Sequence, residues 1–199
     1  MTYTSTQQPR KAAKTFTRVE AILDFGNGDV KYLIRKQGNS EWIGGKFPSL
    51  VAQVSKSEAF SVTFPGKEAI KYVVGKEAKH YTCTRTGDTA DGKINNALPL
   101  TVEVIRQTIG FDTNIALDII AVMPSVKQYG AALKAALKPL SGGHINIVIP
   151  GDELMGERDT FANIAVNKIV CQLEGHNAAR VADVKPGKDA YIVDIGSRT

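Results

Sequence analysis

Two segments of this chain share a design that suits phosphate and metal chemistry: an apolar run, an Asp at its end, then a glycine-rich turn. The first is Ile22-Leu23-Asp24-Phe25-Gly26-Asn27-Gly28-Asp29-Val30-Lys31 and the second is Ile192-Val193-Asp194-Ile195-Gly196-Ser197-Arg198-Thr199. Glycines let backbone N–H groups come close to an anion and form a nest for phosphate oxygens. A strand-end carboxylate does not hold phosphate itself, but it holds magnesium or its waters, and the metal bridges the phosphates. Lys31, three residues past Gly28, supplies a point charge for a β/γ-phosphate region, while the hydroxyls of Ser197 and Thr199 add donors opposite. Asp, Asn and Gly are ordinary turn residues as well. What points to a nucleotide is the pair: two such turns, each after an apolar run, a domain's length apart.

The elements that must position these turns read as α/β with a substantial antiparallel part. Residues 19–23 open a strand, 24–29 break it, and Val30, Tyr32 and Ile34 alternate with Lys31, Leu33 and Arg35 in a second, so the pair reads as a hairpin. Gly38-Asn39-Ser40 marks a turn before a third strand at Glu41-Trp42-Ile43. A meander of this kind is not the strand-then-helix opening of a Rossmann or P-loop protein. Residues 47–90 read as an inserted β-rich subdomain, with strands at 60–64 and 70–74, a turn at Pro65-Gly66-Lys67, and a polar loop at 88–93. Leu98, Val102, Ile105 and Ile109 recur at helical spacing and predict a helix over 94–109 that stops at Gly110, with Pro99 marking where it begins or restarts.

Beyond it, 116–123 is nearly all apolar, the pattern of a strand buried on both faces. Residues 126–138 read as a helix packed through Ala131, Leu133 and Leu137. Residues 144–149 alternate like an exposed edge strand, with 164–173 as an antiparallel partner. A short helix at 177–184 and a buried-type strand at 190–195 complete the reading.

At 199 residues, 43% hydrophobic and 23% charged, the chain suits one large domain or two small ones and is not disordered wholesale. No apolar run approaches the ~20 residues of a membrane span, and residues 1–20 lack the apolar centre of a secretory signal. The reading is cytoplasmic, with no membrane partner. The formal charge of +5 is concentrated: residues 1–19 hold Arg10, Lys11, Lys14 and Arg18 and no acid. Residues 1–18 therefore read as a disordered basic tail, and nothing has the pattern of direct sequence-specific DNA reading. Cys83 and Cys171 stand far apart, and His80, His144 and His176 show no ligand spacing with them, which excludes a disulfide framework or a zinc knuckle. Neither G-x-S-x-G nor H-E-x-x-H occurs.

The two glycine turns resemble phosphate 1 and phosphate 2 of the actin / sugar kinase / heat-shock chaperone ATPase superfamily. Asp24-x-Gly26-x-Gly28-x-x-Lys31 has the actin-type form of the first, and Asp194-x-Gly196-x-x-Thr199 looks like the second. Within that superfamily, residues 19–199 look most like the N-terminal half of the bacterial plasmid-segregation actins, the ParM/StbA group. The likeness is carried by Phe47-Pro48-Ser49-Leu50-Val51, by Tyr72-Val73-Val74-Gly75-Lys76-Glu77-Ala78, and by 159–170 followed by Leu173-Glu174-Gly175-His176-Asn177-Ala178-Ala179.

That resemblance implies an α/β fold of the actin-like ATPase (ribonuclease-H-like) type. Residues 19–46 and 93–184 would form subdomain IA, 47–92 an inserted subdomain IB, and 185–199 the first strand of subdomain IIA, after which the chain stops. It implies Mg2+ and ATP, with Asp24 and Asp194 binding the metal through water. Gly26, Asn27, Gly28 and Lys31 would hold the β/γ-phosphates from one side and Gly196, Ser197 and Thr199 from the other. Glu174 sits where the family places the residue that orients or activates the attacking water, about twenty residues before Asp194, with Glu153 and Glu157 as rivals for that role. Two departures stand out: Asp29 puts a negative charge in the first loop, and Arg198 occupies a position more often small.

The implied function is the nucleotide-binding half of a bacterial actin-like ATPase that forms filaments for plasmid DNA segregation. Its partners would be further copies of itself and a DNA-bound adaptor protein. A small-molecule kinase of the same superfamily, or a non-catalytic binding module that kept the fold, are the alternatives. In the superfamily the adenine and ribose pocket follows phosphate 2, whereas this sequence stops at Thr199. The expectation is an N-terminal fragment that binds nucleotide weakly and hydrolyses little alone, ATP hydrolysis belonging to the complete protein.

Overall fold

The computed structural model describes residues 16–55, 60–63, 68–89, 91–110, 114–140, 145–149 and 160–174. Period-two alternation draws the start of the chain into the expected meander. β1 (Phe16–Phe25) buries Val19, Ala21, Leu23 and Phe25 on one face; it begins at Phe16, inside the segment read as tail. β2 (Asp29–Lys36) pairs with it antiparallel, placing Lys31 opposite Asp24, and β3 (Ile43–Pro48) pairs with β2. Two glycines in β3 answer to their neighbours. A Cβ at Gly44 would lie 2.9 Å from Leu33 Cδ2, and one at Gly45 would strike the Tyr32 ring.

The stretch read from sequence as an insertion holds β4 (Leu50–Val54), β5 (Phe60–Thr63), β6 (Ile70–Val74) and the short β7 (Thr84–Arg85). β5 and β6 pair as the sequence predicts, with Phe60 opposite Tyr72; their turn lies outside the described residues. The helical stretch is split into α1 (Gly92–Asn95) and α2 (Ala97–Thr108). Pro99 falls in the first turn of α2, where its missing N–H forfeits no helical bond. Gly110 ends the segment at φ +72°, its N–H donating to the Ile105 carbonyl at 3.2 Å.

β8 (Asn114–Met123) buries Ile115, Leu117, Ile119, Ala121 and Met123, but Asp118, Ile120 and Val122 are only half-buried, so burial on both faces is not borne out. α3 (Val126–Leu137) follows, capped where the Gln128 N–H donates to the Ser125 hydroxyl at 3.3 Å. β9 (Ile145–Ile149) and β10 (Thr160–Leu173) complete the described elements.

The ten strands of the described residues join one sheet in the order β3-β2-β1-β8-β10-β9-β5-β6-β4-β7. β1, β8 and β10 run parallel at its centre, and the remaining pairs are antiparallel. Two expectations are corrected here. β9 is interior, not an edge, because β5 of the insertion pairs with its far side. β10 is antiparallel to β9 only over 160–164, and along its other edge it runs parallel to β8 from Asn163 to Leu173, across a bulge between Val166 and Lys168. Leu23, Leu117 and Ile119 form one core with Leu100 and Val104 of α2 and Leu133 and Leu137 of α3. The opposite sheet face is more open: Ile22 and Ile120 are half-buried and Leu33 is 44% exposed.

Candidate active site

The three parallel strands finish at one edge of the sheet, and the described candidate residues gather there. In register, Lys31, Asp24, Val122 and Gln172 form one row across β2, β1, β8 and β10. The carboxyl ends of parallel strands are where open α/β sheets bind ligands, since the chain leaves the sheet there through short, adjustable turns. β1 leaves through Gly26-Asn27-Gly28, β8 through Pro124, and β10 through Glu174, whose N–H donates to the Met123 carbonyl at 2.9 Å.

The first glycine turn is fastened from behind. The Thr86 hydroxyl donates to the Gly26 carbonyl, with a longer contact of 3.5 Å to that of Asn27. Ser49 donates its hydroxyl to the Asn27 carbonyl and its N–H to the Gly28 carbonyl, each at 3.0 Å. A trans peptide sets each C=O opposite the next N–H. Engaging these three carbonyls therefore turns the N–H groups of Asn27, Gly28 and Asp29 away from Ser49 and Thr86. Gly26 is glycine for a steric reason, because a Cβ there would lie 2.6 Å from the Asp29 carbonyl oxygen; a Cβ at Gly28 would meet nothing within 4 Å. Asp29 leans outward, 3.9 Å from Lys46 of β3, so the charge that seemed out of place in the loop has a cation beside it.

Beside this turn lies a cavity of about 330 Å³. Phe25, Met123, Tyr129 and Leu133 make its apolar wall, and Asn27, Thr86, Asp88 and Lys93 are among its polar groups. Lys93 reaches from α1 to Glu174, Nζ to Oε1 3.2 Å, with the two side chains 26% and 33% exposed. Asp88 is occupied locally: its Oδ2 accepts from the Arg85 N–H at 2.6 Å.

Of the residues nominated from sequence, Asp24 and Lys31 stand directly opposite each other, and one Asp24 carboxylate oxygen is sealed from solvent. Gly26, Asn27 and Gly28 form the turn, and Glu174 is brought to the same edge. Asp194, Gly196, Ser197 and Thr199, with the rival acids Glu153 and Glu157, lie outside the described residues. Sequence reasoning missed Thr86 and Lys93. Both sit near a stretch legible only as a polar loop, and their partners are 60 and 81 residues away. Ser49 was noticed only as part of a Pro-Ser segment, with no hint of its contact to the turn.

No protein-family model and no curated protein sequence matches the chain. Solved structures do. The filament structure of AlfA from a B. subtilis plasmid is 18% identical, with TM-score 0.55 over 81% of this chain and 58% of its own. A ParM filament from Clostridium botulinum is 16% identical, with TM-score 0.57 over 85% of this chain and 52% of its own. Ta0583, an archaeal actin homolog solved in complex with ADP, is 20% identical, with TM-score 0.53 over 82% of this chain and 46% of its own. The fold is actin-like. The chain spans about half the length of the structures it matches.

Proposed function

We propose that this chain is the nucleotide-binding half of a bacterial actin-like ATPase whose filaments segregate plasmid DNA, working in the cytoplasm with a DNA-bound adaptor. The observation that carries this reading is the convergence of the Gly26-Asn27-Gly28 turn, Lys93 and Glu174 at the carboxyl ends of three parallel strands, where Asn27 and Lys93 line one cavity and Glu174 pairs with Lys93. Similarity to filament structures of AlfA and ParM supports self-assembly, and the ADP complex of an actin homolog supports the nucleotide.

In this reading the outward N–H groups of Asn27 and Gly28 bind phosphate oxygens, and Lys31 adds a cation on the row of Asp24. A single strand-end carboxylate suits magnesium, which keeps most of its waters, and Asp24 would hold the ion through them. Bound there, the metal neutralises phosphate charge. Glu174 orients the attacking water and accepts its proton. Asp194 would be the second magnesium carboxylate, with Gly196, Ser197 and Thr199 on the far side of the phosphates. Residues 19–46 and 93–184 act as subdomain IA, 47–92 as a subdomain IB that makes filament contacts, and 185–199 as the first strand of IIA, behind a basic tail at 1–18.

The test is sedimentation and light scattering of the complete protein with Mg-ATP, Mg-ADP and no nucleotide, alongside phosphate release. ATP-dependent pelleting with phosphate release, the release alone being lost in Glu174→Gln, supports the proposal. Phosphate transferred to a sugar instead of water would indicate a kinase, and a soluble monomer inert to every nucleotide would indicate a binding module.

A further inference from the structure

We infer that Lys93 is an anion-recognising residue of this site: its ammonium, held by Glu174, presents its remaining N–H groups to the terminal phosphate of a bound nucleoside triphosphate. The inference rests on the nucleotide reading above and adds to it the residue that tells a triphosphate from a diphosphate. Among the described residues lining the cavity, Lys93 is the one cation. An ammonium has three protons to donate, and the contact it makes among the described residues, to Glu174 at 3.2 Å, uses one. With both side chains partly exposed, an ion pair of this kind adds little to stability, so its role in the fold is small.

Its placement, by contrast, is rigid. Gly92, the preceding residue, sits so close to the Thr86 carbonyl that a Cβ would collide with it. Thr86 in turn holds the Gly26 carbonyl. The base of Lys93 is thereby fixed against the very turn whose N–H groups would hold phosphate. Lys31, the cation nominated from sequence, is exposed on β2 and is absent from the cavity lining. A charge placed between Glu174 and the cavity would attract the terminal phosphate and hold the carboxylate near the water that attacks it.

The experiment is an NMR titration of the whole 199-residue chain with Mg-ATP, Mg-ADP and inorganic tripolyphosphate. It follows the Lys93 side chain, the Glu174 carboxyl carbon and the amides of Asn27 and Gly28. Saturable shifts at Lys93 and Glu174 with ATP and tripolyphosphate, smaller with ADP, are expected. Lys93→Met is expected to weaken binding of ATP about tenfold and of ADP less than about threefold, with Lys93→Arg recovering most of the loss. Shifts at Asn27 and Gly28 without any at Lys93, or an unchanged ATP-over-ADP preference in Lys93→Met, overturn the inference and leave the nucleotide reading standing. No saturable shift anywhere with any of the three probes overturns both.

Discussion

The hydroxyl of Thr86 is hydrogen-bonded to the carbonyl of Gly26, sixty residues earlier in the chain. Thr86 is 1% exposed, so the contact is made away from water. It joins the end of the β-rich insertion to the glycine turn and, through the close packing of Gly92 on Thr86, joins both to the helix that carries Lys93. One buried hydroxyl thus sets the spacing between the two halves of the candidate site.

Removing that hydroxyl tests the connection. Thr86→Val keeps the shape and leaves the Gly26 carbonyl buried without its donor, which costs about 1–3 kcal/mol. Thr86→Ser keeps the bond and stays within about 1 kcal/mol, the loss being a buried methyl group. Urea unfolding of the two variants measures the difference; equal midpoints would show that the bond does not matter.

The two glycines of the turn separate by role. Gly26→Ala drives a methyl into the Asp29 carbonyl, 2.6 Å away, and should destabilise by about 1–3 kcal/mol through overpacking. Gly28→Ala meets open space and should leave stability within about 0.5 kcal/mol. On the proposed function that open space belongs to phosphate, so Gly28→Ala lowers nucleotide affinity without moving the unfolding midpoint. A variant that binds as tightly as the parent would count against the turn as a phosphate nest.

Glu103 is a buried acid that the site does not use. It is 2% exposed and accepts from Arg106 Nε at 2.7 Å and from Gln107 Nε2 at 2.7 Å. The hydrogen bond to Glu103 holds the Arg106 guanidinium above its ordinary pKa. Glu103→Ala should cost about 2 kcal/mol, short of the 3–5 kcal/mol of a fully buried broken pair, because Arg106 can return to water. Calorimetry at low and high salt checks it, and the loss should vary little with ionic strength.

Burial pushes the Cys171 thiol up, with Lys134 partly opposing the shift. A raised pKa means less thiolate at pH 8, hence slower alkylation. In a Cys83→Ser background, iodoacetamide should modify Cys171 more slowly than free glutathione, and the rate should climb as pH rises through the thiol's pKa. Lys134→Met should slow it further. A rate equal to that of glutathione at pH 8 would contradict the shift.

Local physics made the strands of the meander, the Pro99 break and the Gly110 stop legible in the sequence. Alternation, missing donors and left-handed turns act within a few residues, so residue order records them directly. The same is true of the acid-and-glycine turn at Asp24–Gly28 and of Glu174 as a strand-end acid.

What residue order could not record was partnership at a distance. β9 looks like an edge strand because its own alternation says nothing of β5, which covers it. β10 pairs antiparallel with β9 over Thr160–Ile164 and parallel with β8 from Asn163 to Leu173, and nothing in its composition records which strand lies on which edge. Lys93 reads as one charge in a polar loop, and Thr86 as one more threonine. Only when three parallel strands end together do a lysine, a threonine and a glycine turn become neighbours. Hydrogen bonds and ion pairs act over about 3 Å in space, whatever the separation along the chain, so the tertiary fold alone decides which polar groups meet.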